Sequence, residues 1–261
     1  MNFAQAEKFL AVLYLVSALL SVISVICIVT VWQYWTRTLN LCIDVDCGCI
    51  LYSVNTFSKF MGGDVKICHF VSLAAIPAIV FGLMFGLYHG YRSLINKKLS
   101  DPRIVACQPV CYNRENNSEH VVVITPKRRT SCKSWMPTTF LAALITCLSL
   151  AHTVVITDGY YKTCEQYKKN LIHLLGSSGR EAEAIYNRLN CGAIFDYMDY
   201  IEPDANNWRR GDEINTGLAL QCAITTVWFN CFSWVAIFVI NFTMNRKKKN
   251  QNSEKTYCFG N

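Results

Sequence analysis

Four long stretches of the chain contain no Asp, Glu, Lys or Arg and consist mainly of apolar residues. They are Phe9–Thr36, Ile67–Tyr91, Ser134–Thr157 and Ile214–Asn245. Each is long enough to supply the roughly 20 apolar residues that a helix needs to cross a hydrocarbon core of ~30 Å. Because a helix satisfies its own backbone hydrogen bonds, it is the form in which such stretches enter a bilayer. The pattern therefore predicts four transmembrane helices.

A soluble four-helix bundle is the alternative, but each of its helices would carry a polar stripe facing water. Residues 10–32 have no charged face, and the whole chain is 52% hydrophobic and only 16% charged. An average soluble chain is about 25% charged. We therefore predict an all-α membrane protein with a four-helix transmembrane bundle. The first apolar run is far longer than the roughly 7–15 residues of a signal peptide core, so we interpret it as a signal anchor.

Basic residues cluster beside two ends of these stretches. Arg92 to Lys133 has a net charge of +6 and the tail from Arg246 has +4, whereas segments 33–66 and 158–213 have 0 and −3. Lys and Arg collect in cytoplasmic loops, so we predict that both termini are cytoplasmic and that the other two loops are extracellular. The net charge of +7 is then a consequence of membrane topology. It does not indicate a nucleic-acid partner, because the basic residues flank the predicted membrane spans.

These boundaries divide the chain into nine segments. They are a cytoplasmic N terminus (1–8), TM1 (9–32), extracellular loop 1 (33–66), TM2 (67–91), a basic cytoplasmic loop (92–135), TM3 (136–157), extracellular loop 2 (158–213), TM4 (214–243) and a basic cytoplasmic tail (244–261). Asn116-Asn117-Ser118 in the cytoplasmic loop has the form of a glycosylation sequon. The predicted topology requires that it stay unmodified.

Six of the 14 cysteines fall in the predicted extracellular loops: Cys42, Cys47, Cys49, Cys68, Cys164 and Cys191. An even number in an oxidising compartment indicates a disulfide framework. Six cysteines allow fifteen connectivities, and the sequence leaves the pairing open. A metal site at Asp46–Cys49 is the weaker interpretation, because Cys-x-Cys with a nearby Asp is a poor zinc motif. We predict neither a metal nor another cofactor.

The predicted cytoplasmic loop carries candidate modification sites. Cys107, Cys111 and Cys132 are candidates for palmitoylation, with plain free thiols as the equal alternative. Ser131 follows Arg128 and Arg129, which is typical of a basophilic kinase substrate. A phosphate there would weaken contact with an anionic membrane face. A solvated basic anchor is the preferred interpretation of this segment.

The second span carries a ribbon of small residues at every fourth position: Ala74, Ala78, Gly82, Gly86 and Gly90. Such a ribbon lets helix backbones approach closely in lipid. We favour packing against another helix of the same chain over packing against a second subunit. Pro77 in the same span predicts a kink.

The second extracellular loop contains a predicted short helix and a candidate binding patch. The helix follows Gly179, with Glu181 and Glu183 at its start and Arg188 at its end, as the helix dipole favours. Four aromatic residues among acids then form the candidate partner-binding patch: Phe195, Tyr197, Tyr200 and Trp208. Local core or membrane-interface aromatics are the equal alternative. No catalytic motif is recognisable, so we expect no enzyme activity.

Four short motifs carry a resemblance to a known family. They are Cys49-Ile50-Leu51-Tyr52, Cys68-His69-Phe70 followed by small residues, Cys164-Glu165, and Phe195-Asp196 ahead of a Trp-rich last span. Through them most of the chain resembles the transmembrane protein 179 family of four-span membrane proteins. The resemblance implies Cys49, Cys68, Cys164 and Cys191 as a shared disulfide set. Cys42, Cys47 and the long basic loop depart from the family pattern. Claudins and tetraspanins are similar in plan only, since their loop signatures are missing.

Together these features predict a non-enzymatic four-span protein of the plasma membrane. Its extracellular loops would make it a scaffold or accessory component, either in cell–cell junctions at lateral contacts or in a receptor complex. Its partners would be the lipid bilayer and other membrane proteins, with a homo-oligomer as a further expectation. The alternative is a pore-forming or channel-modulating subunit.

Overall fold

The computed structural model describes residues 3–42, 46–56, 59–99, 135–201 and 214–258. The elements in this part of the chain are α1 (Phe3–Leu39), β1 (Cys49–Asn55), β2 (Phe60–Gly63), α2 (Val65–Ala74), α3 (Ile76–Leu99), α4 (Trp135–Leu174), α5 (Arg180–Arg188), α6 (Cys191–Ile201) and α7 (Thr216–Cys258). Within these residues the fold is mostly helical. Four helical segments, one of them formed by α2 and α3 together, are long and apolar enough to cross a membrane.

The described residues form two regions, which we call the bundle and the head. The bundle comprises α2, α3, α7, the part of α1 before Gln33 and the part of α4 up to Thr157. The head comprises the described residues of 33–66 and 158–213. In the bundle, α1 packs against α3 and α7, and α7 packs in turn against α4.

Both α1 and α4 continue from the bundle into the head. The extension of α4 from Thr157 to Leu174 is about 25 Å long at the rise of an α-helix. In this extension Tyr160, Cys164 and Tyr167 are buried. They recur at the spacing of one helix face, so one face of the extension packs against the apolar core of the head.

The expectation of an all-α fold is wrong in one respect, because β1 and β2 pair as an antiparallel hairpin. Cys49 lies opposite Gly63, but Val54 lies opposite Met61. The extra residues of β1 form an irregular bulge, at which Tyr52 takes a φ of 59°. At Gly63 a Cβ atom would collide with the carbonyl oxygen of Leu51, so the hairpin requires glycine there.

Several helices begin at a side chain that accepts a backbone N–H, as expected of N-caps. Asp64 accepts from Lys66 at 2.9 Å, Asn190 accepts from Ala193 at 2.8 Å, and Asn215 accepts from Leu218 at 2.8 Å. The short helix predicted in the second loop is confirmed as α5. It carries Glu181 and Glu183 in its first turn and Arg188 in its last turn.

The kink predicted at Pro77 is confirmed as the break between α2 and α3. At Ala75 the backbone N–H turns to the carbonyl of Leu73, and the helix resumes at Ile76. A proline supplies no N–H to the carbonyl four residues before it, so the helix is interrupted one turn ahead of Pro77.

Some predicted features lie outside the described residues. These are Trp208, Cys107, Cys111, Cys132, Ser131 and the sequon at Asn116.

Candidate functional site

Three disulfides occur within the described residues, and each joins cysteines that are neighbours in the order of the six. They are Cys42–Cys47, Cys49–Cys68 and Cys164–Cys191. The first closes a short loop after α1, the second ties β1 to α2, and the third ties α4 to α6. All six predicted cysteines are therefore disulfide-bonded; five lie in the head, and the sixth, Cys68, ties the head to α2 of the bundle.

The irregular strand β1 is held by side chains of α4. Thr163 donates its hydroxyl proton to the carbonyl of Ile50 at 2.8 Å and accepts the N–H of Ser53 at 3.2 Å. The hydroxyl of Ser53 donates to the same carbonyl at 2.8 Å. These bonds occupy backbone groups that the bulge removes from the sheet ladder, which would otherwise be costly to bury.

Tyr52 lies where the head meets the bundle. Its ring packs against Gly159 of α4, where any Cβ would come within 2.9 Å of the ring. The Lys162 ammonium lies 5.0 Å from the ring centroid and forms an ion pair of 2.9 Å with Asp158. Burial, followed by the hydrogen bond with Asp158 and its negative charge, raises the pKa of Tyr52 to about 12. The phenol is therefore neutral at physiological pH.

The prediction of a binding patch is wrong for Phe195. This side chain is fully buried, and its ring centroid lies 5.1 Å from that of Tyr160. Tyr197 is half-buried, whereas Tyr200 is exposed. On α6 the apolar side chains of Ile194, Phe195 and Met198 face the core, so this part of the predicted patch is local core.

Asp199 on α6 has a structural position that the sequence did not reveal. Its carboxylate accepts the N–H of Thr216 at 2.8 Å, and the Thr216 hydroxyl accepts the indole N–H of Trp35 at 2.8 Å. This chain of bonds joins α6, α7 and α1. Trp35 is more than 160 residues from both Asp199 and Thr216 along the sequence, so no local pattern could have indicated its part in this chain.

Four exposed apolar side chains lie on α5 and on the residues that flank it. The residues of this α5 surface are Leu174, Leu175, Tyr186 and Leu189. None of the α5 side chains is fully buried. Exposed apolar patches on a folded domain mark interaction sites, which makes the α5 surface the candidate binding site of the head. The one sequence signal is a Leu pair directly before a Gly-Ser turn.

Few polar contacts hold α5 against α4. Lys168 donates to the carbonyl of Tyr186 at 3.0 Å, and the Tyr186 hydroxyl donates to Glu165 at 3.3 Å. Ile185 is the α5 side chain that packs against the apolar core. Two hydrogen bonds to the extension of α4 and the apolar contact of Ile185 therefore hold α5 in place.

In the bundle, part of the predicted small-residue ribbon packs against α1 of the same chain. A Cβ on Gly82 would lie 2.9 Å from the carbonyl oxygen of Tyr14, and one on Gly86 would lie 2.9 Å from the Leu15 side chain. Ala78 is buried on the same face.

The two ends of the predicted ribbon do not share this contact. Ala74 is half-buried, while its neighbour Ala75 is buried. No atom of the described residues approaches within 4 Å of a Cβ on Gly90. The helix break at Ala75 rotates the packing face, so the contact runs through Ala75, Ala78, Gly82 and Gly86.

Polar side chains in the interior of the bundle connect its helices. Ser17 donates to Asn230 at 2.7 Å, and Asn230 donates to Ser149 at 3.5 Å. Nearer the N terminus, Asn241 donates to the Tyr14 hydroxyl at 3.3 Å. These groups form two polar layers. The middle layer consists of Ser17, Asn230 and Ser149, and the inner layer, nearer the start of α1, consists of Tyr14 and Asn241.

An ion pair closes the end of the bundle at which α1 begins. Glu7 and Arg92 are 3.0 Å apart, and the Glu7 side chain is only 3% exposed. The pair links the start of α1 to α3.

Within the described residues, no group of three or more His, Cys, Asp or Glu side chains is placed to hold a metal ion. The chain matches no protein-family model, no curated protein and no solved structure.

Proposed function

We propose that the bundle spans a lipid bilayer four times, with both termini in the cytoplasm and the head outside. The burial pattern supports this, because large apolar residues of the bundle point outward: Phe9, Val12, Leu19, Leu83, Phe140, Leu144, Phe229 and Phe232 are all exposed. Ser, Thr and Asn side chains are buried inside instead. Such an arrangement suits a lipid solvent, in which an apolar surface costs nothing.

Accessibility to a bulky maleimide tests this topology. Single cysteines placed at Lys59 in the head and at Lys247 near the C terminus should react from opposite sides of intact cells. Glycosidase treatment should leave the gel mobility unchanged, because Asn116 would be cytoplasmic. A mobility shift that disappears in Asn116→Gln would overturn the proposed orientation.

The function that we propose is that of a non-enzymatic scaffold or accessory protein of the plasma membrane. The observation that carries it is the α5 surface, which exposes four apolar side chains on a head stabilised by three disulfides. A preorganised head loses little conformational freedom on binding. Its partner would be another membrane protein, in a lateral cell–cell junction or a receptor complex. Membership of the transmembrane protein 179 family is part of the same proposal.

Proximity labelling in polarised epithelial cells, followed by capture in mild detergent, tests the binding role. The variant Leu174→Ser with Leu175→Ser should reach the surface normally and lose most of the captured partner. Val54→Ser is the matched control, because Val54 is an exposed aliphatic side chain on the hairpin of the same head. Equal capture by both variants would exclude the α5 surface as the binding site.

The polar layers of the bundle favour a second candidate, a pore-forming or channel-modulating subunit. Polar side chains inside a membrane bundle are found along ion and water pathways. This candidate predicts ion flux in liposomes that contain the purified protein, and a reduced flux in Asn230→Leu. Electrically silent liposomes would remove the pore-forming version of this candidate.

A further inference from the structure

The interior of the bundle contains buried polar atoms that find no hydrogen-bond partner among the described residues. Among them are the hydroxyl oxygens of Ser21 and Ser24, Nε2 of His152, Nε1 of Trp234 and Oδ1 of Asn241. Each of these side chains is at most 2% exposed. Burying a polar group without a partner is unfavourable, so five such atoms within one bundle require an explanation.

The two serines differ from other hydroxyl side chains of the bundle. Thr146 donates to the carbonyl of Ala142 at 2.7 Å, and Thr225 donates to that of Gln221 at 2.8 Å. Such bonds to the preceding helical turn are the usual way in which a hydroxyl is satisfied in an apolar helix. Ser21 and Ser24 do not make them, which leaves both hydroxyls facing the interior.

His152 has a partner on one side of its ring only. The break in the helix at Ala75 turns the Ala75 N–H away to Leu73, and the ring of His152 hydrogen-bonds the backbone of Val71. In a neutral imidazole that donates through one nitrogen, the other nitrogen is an acceptor. Nε2 is thus a buried acceptor that requires a donor.

These atoms lie in or next to the two polar layers. Ser21 is four residues beyond Ser17 and His152 is three residues beyond Ser149, so they lie about 6 Å and about 4.5 Å from the middle layer along their helices, and Ser24 lies about one turn further along α1. Asn241 belongs to the inner layer, and Trp234 packs on Tyr14 there with ring centroids 5.7 Å apart. The unpartnered atoms therefore extend polar networks that already cross the bundle.

Apolar residues close the interior of the bundle on both sides of the polar layers. Toward the head, Ile28, Ile156 and Val227 are at most 1% exposed and belong to one apolar cluster with the head core. Toward the start of α1, Ala6, Leu10 and Met244 are at most 3% exposed and belong to a second apolar cluster. A polar group in the layers is therefore surrounded by apolar packing.

From this arrangement we propose that the two polar layers are an internal hydration site. Water is the smallest molecule that both donates and accepts, and buried waters typically bind two to four polar groups. Here water donates to His152 and Asn241, accepts from Trp234, and does both with the two serines. This inference depends on the proposed membrane insertion and orientation.

Radiolytic hydroxyl-radical labelling of the full chain in lipid nanodiscs, in ¹⁸O-enriched water, tests the proposal. Trp234 and Trp35 are a matched pair, because both are at most 1% exposed but the Trp35 indole already donates to Thr216 at 2.8 Å. Trp234 and His152 should incorporate the label several-fold more than Trp35. Equal labelling of Trp234 and Trp35, at a low or a high level, would overturn the hydration site.

The same experiment distinguishes failure of the membrane proposal. Phe229 is 59% exposed in the bundle and would be covered by lipid, so it should remain unlabelled. Strong labelling of Phe229 would show that the bundle is not inserted, and the hydration site would be rejected with it. Unlabelled Phe229 together with unlabelled Trp234 would reject the hydration site alone.

Serine substitutions test the hydration site independently, through the direction in which the Tm changes. If Ser21 and Ser24 hold water, Ser21→Ala with Ser24→Ala removes its partners and lowers the Tm in nanodiscs. If the two hydroxyls are dry, the same change removes a burial penalty and raises the Tm, which contradicts the proposal. Ser233→Ala is the control, because Ser233 is exposed and donates to the carbonyl of Phe229 at 2.9 Å.

Discussion

The head and the bundle are stabilised in different ways. In the head, the buried hydroxyls of Ser53 and Thr163 and the indole of Trp35 all have partners, and disulfides link neighbouring elements. In the bundle, Ser21 and Ser24 have none among the described residues, and helices meet through small residues such as Gly82. The two regions nevertheless share one continuous apolar cluster that includes Ile28 and Phe195.

The difference follows from the solvent that we propose for each region. Around the head, water drives apolar side chains inward, and the disulfides limit the freedom of the unfolded loops. Around the bundle, lipid is as apolar as the helix surfaces, so association depends on close packing and on interhelical hydrogen bonds. Cross-links should therefore matter most in the head, and backbone approach should matter most in the bundle.

Among the changes considered, the largest expected effect is the loss of the disulfide that ties β1 to α2. Cys49→Ala with Cys68→Ala opens a link with a sequence separation of 19, and should cost the head about 3 kcal/mol on a chain-entropy estimate. Cys42→Ala with Cys47→Ala opens a link with a separation of 5, and should cost about 2 kcal/mol on the same estimate. Thermal unfolding in nanodiscs, with trypsin sensitivity of the head as a second probe, measures both.

This comparison would fail if the two double variants lost equal stability. It would also fail if loss of the Cys49–Cys68 link unfolded the bundle as readily as the head. Far-UV circular dichroism reports mainly on the long helices, so it separates the bundle from the head.

A substitution in the bundle should have the next largest effect. Gly82→Ala places a Cβ 2.9 Å from the Tyr14 carbonyl oxygen and 3.1 Å from the Ala18 Cβ, and the resulting overpacking should cost about 1–3 kcal/mol. Gly90→Ala adds the same methyl group where no described atom lies within 4 Å. It should be neutral or stabilise by up to about 1 kcal/mol, because alanine favours a helix over glycine. Denaturation in mild detergent measures the difference.

If both alanine variants were equally stable, α1 and α3 would not be in close contact along this face. If Gly82→Ala instead changed only the oligomeric state seen by light scattering, the ribbon would form an interface between subunits.

The contrast between the regions also explains what the sequence could reveal. Long charge-free apolar runs favour helices of the length that a bilayer requires, so the four helices that are long and apolar enough to cross a membrane were predictable. The helix α5 was predictable because Glu181, Glu183 and Arg188 follow the helix dipole. The break near Pro77 was predictable from its missing N–H. Each of these signals is local in sequence.

Features that depend on distant contacts were not predictable in this way. The disulfide pairing depends on which segments of the chain meet in the folded structure. The same is true of the link from Asp199 through Thr216 to Trp35. The acidic residues beside Phe195 suggested a surface, although helical spacing turns Phe195 inward. The extension of α4 did leave a signal, since Tyr160, Cys164 and Tyr167 recur at helical spacing, but it lies beyond the charge-free run, which ends before Asp158.

A smaller effect, confined to alkaline pH, should appear where head and bundle meet. The pKa of Tyr52 is raised from 10.0 to about 12 in the fold, so its contribution to stability is complete below pH 10. As the pH rises from 10 to about 12 the unfolded phenol ionises first, and this contribution is lost. Tyr52→Phe keeps the ring and removes the titration, so its Tm should fall less over this range.

Tyr161→Phe is the control for this titration, because Tyr161 is 61% exposed and its removal should leave the alkaline decrease in Tm unchanged. Parallel Tm curves of wild type and Tyr52→Phe from pH 8 to 12 would show that the Tyr52 hydroxyl does not couple to folding.

The smallest expected effect concerns α5, the least buried part of the head. Tyr186→Phe removes only the 3.3 Å hydrogen bond to Glu165, and this bond is exposed to solvent. The substitution should therefore change the free energy of unfolding by less than about 0.5 kcal/mol. Ile185→Ala should cost more, because Ile185 packs against the apolar core. Chemical denaturation of both variants measures the difference. A loss in Tyr186→Phe as large as that in Ile185→Ala would mean that polar contacts, rather than one apolar anchor, hold the α5 surface. In that case the exposed tyrosine would be part of the head's structure and a poor candidate for contact with a partner.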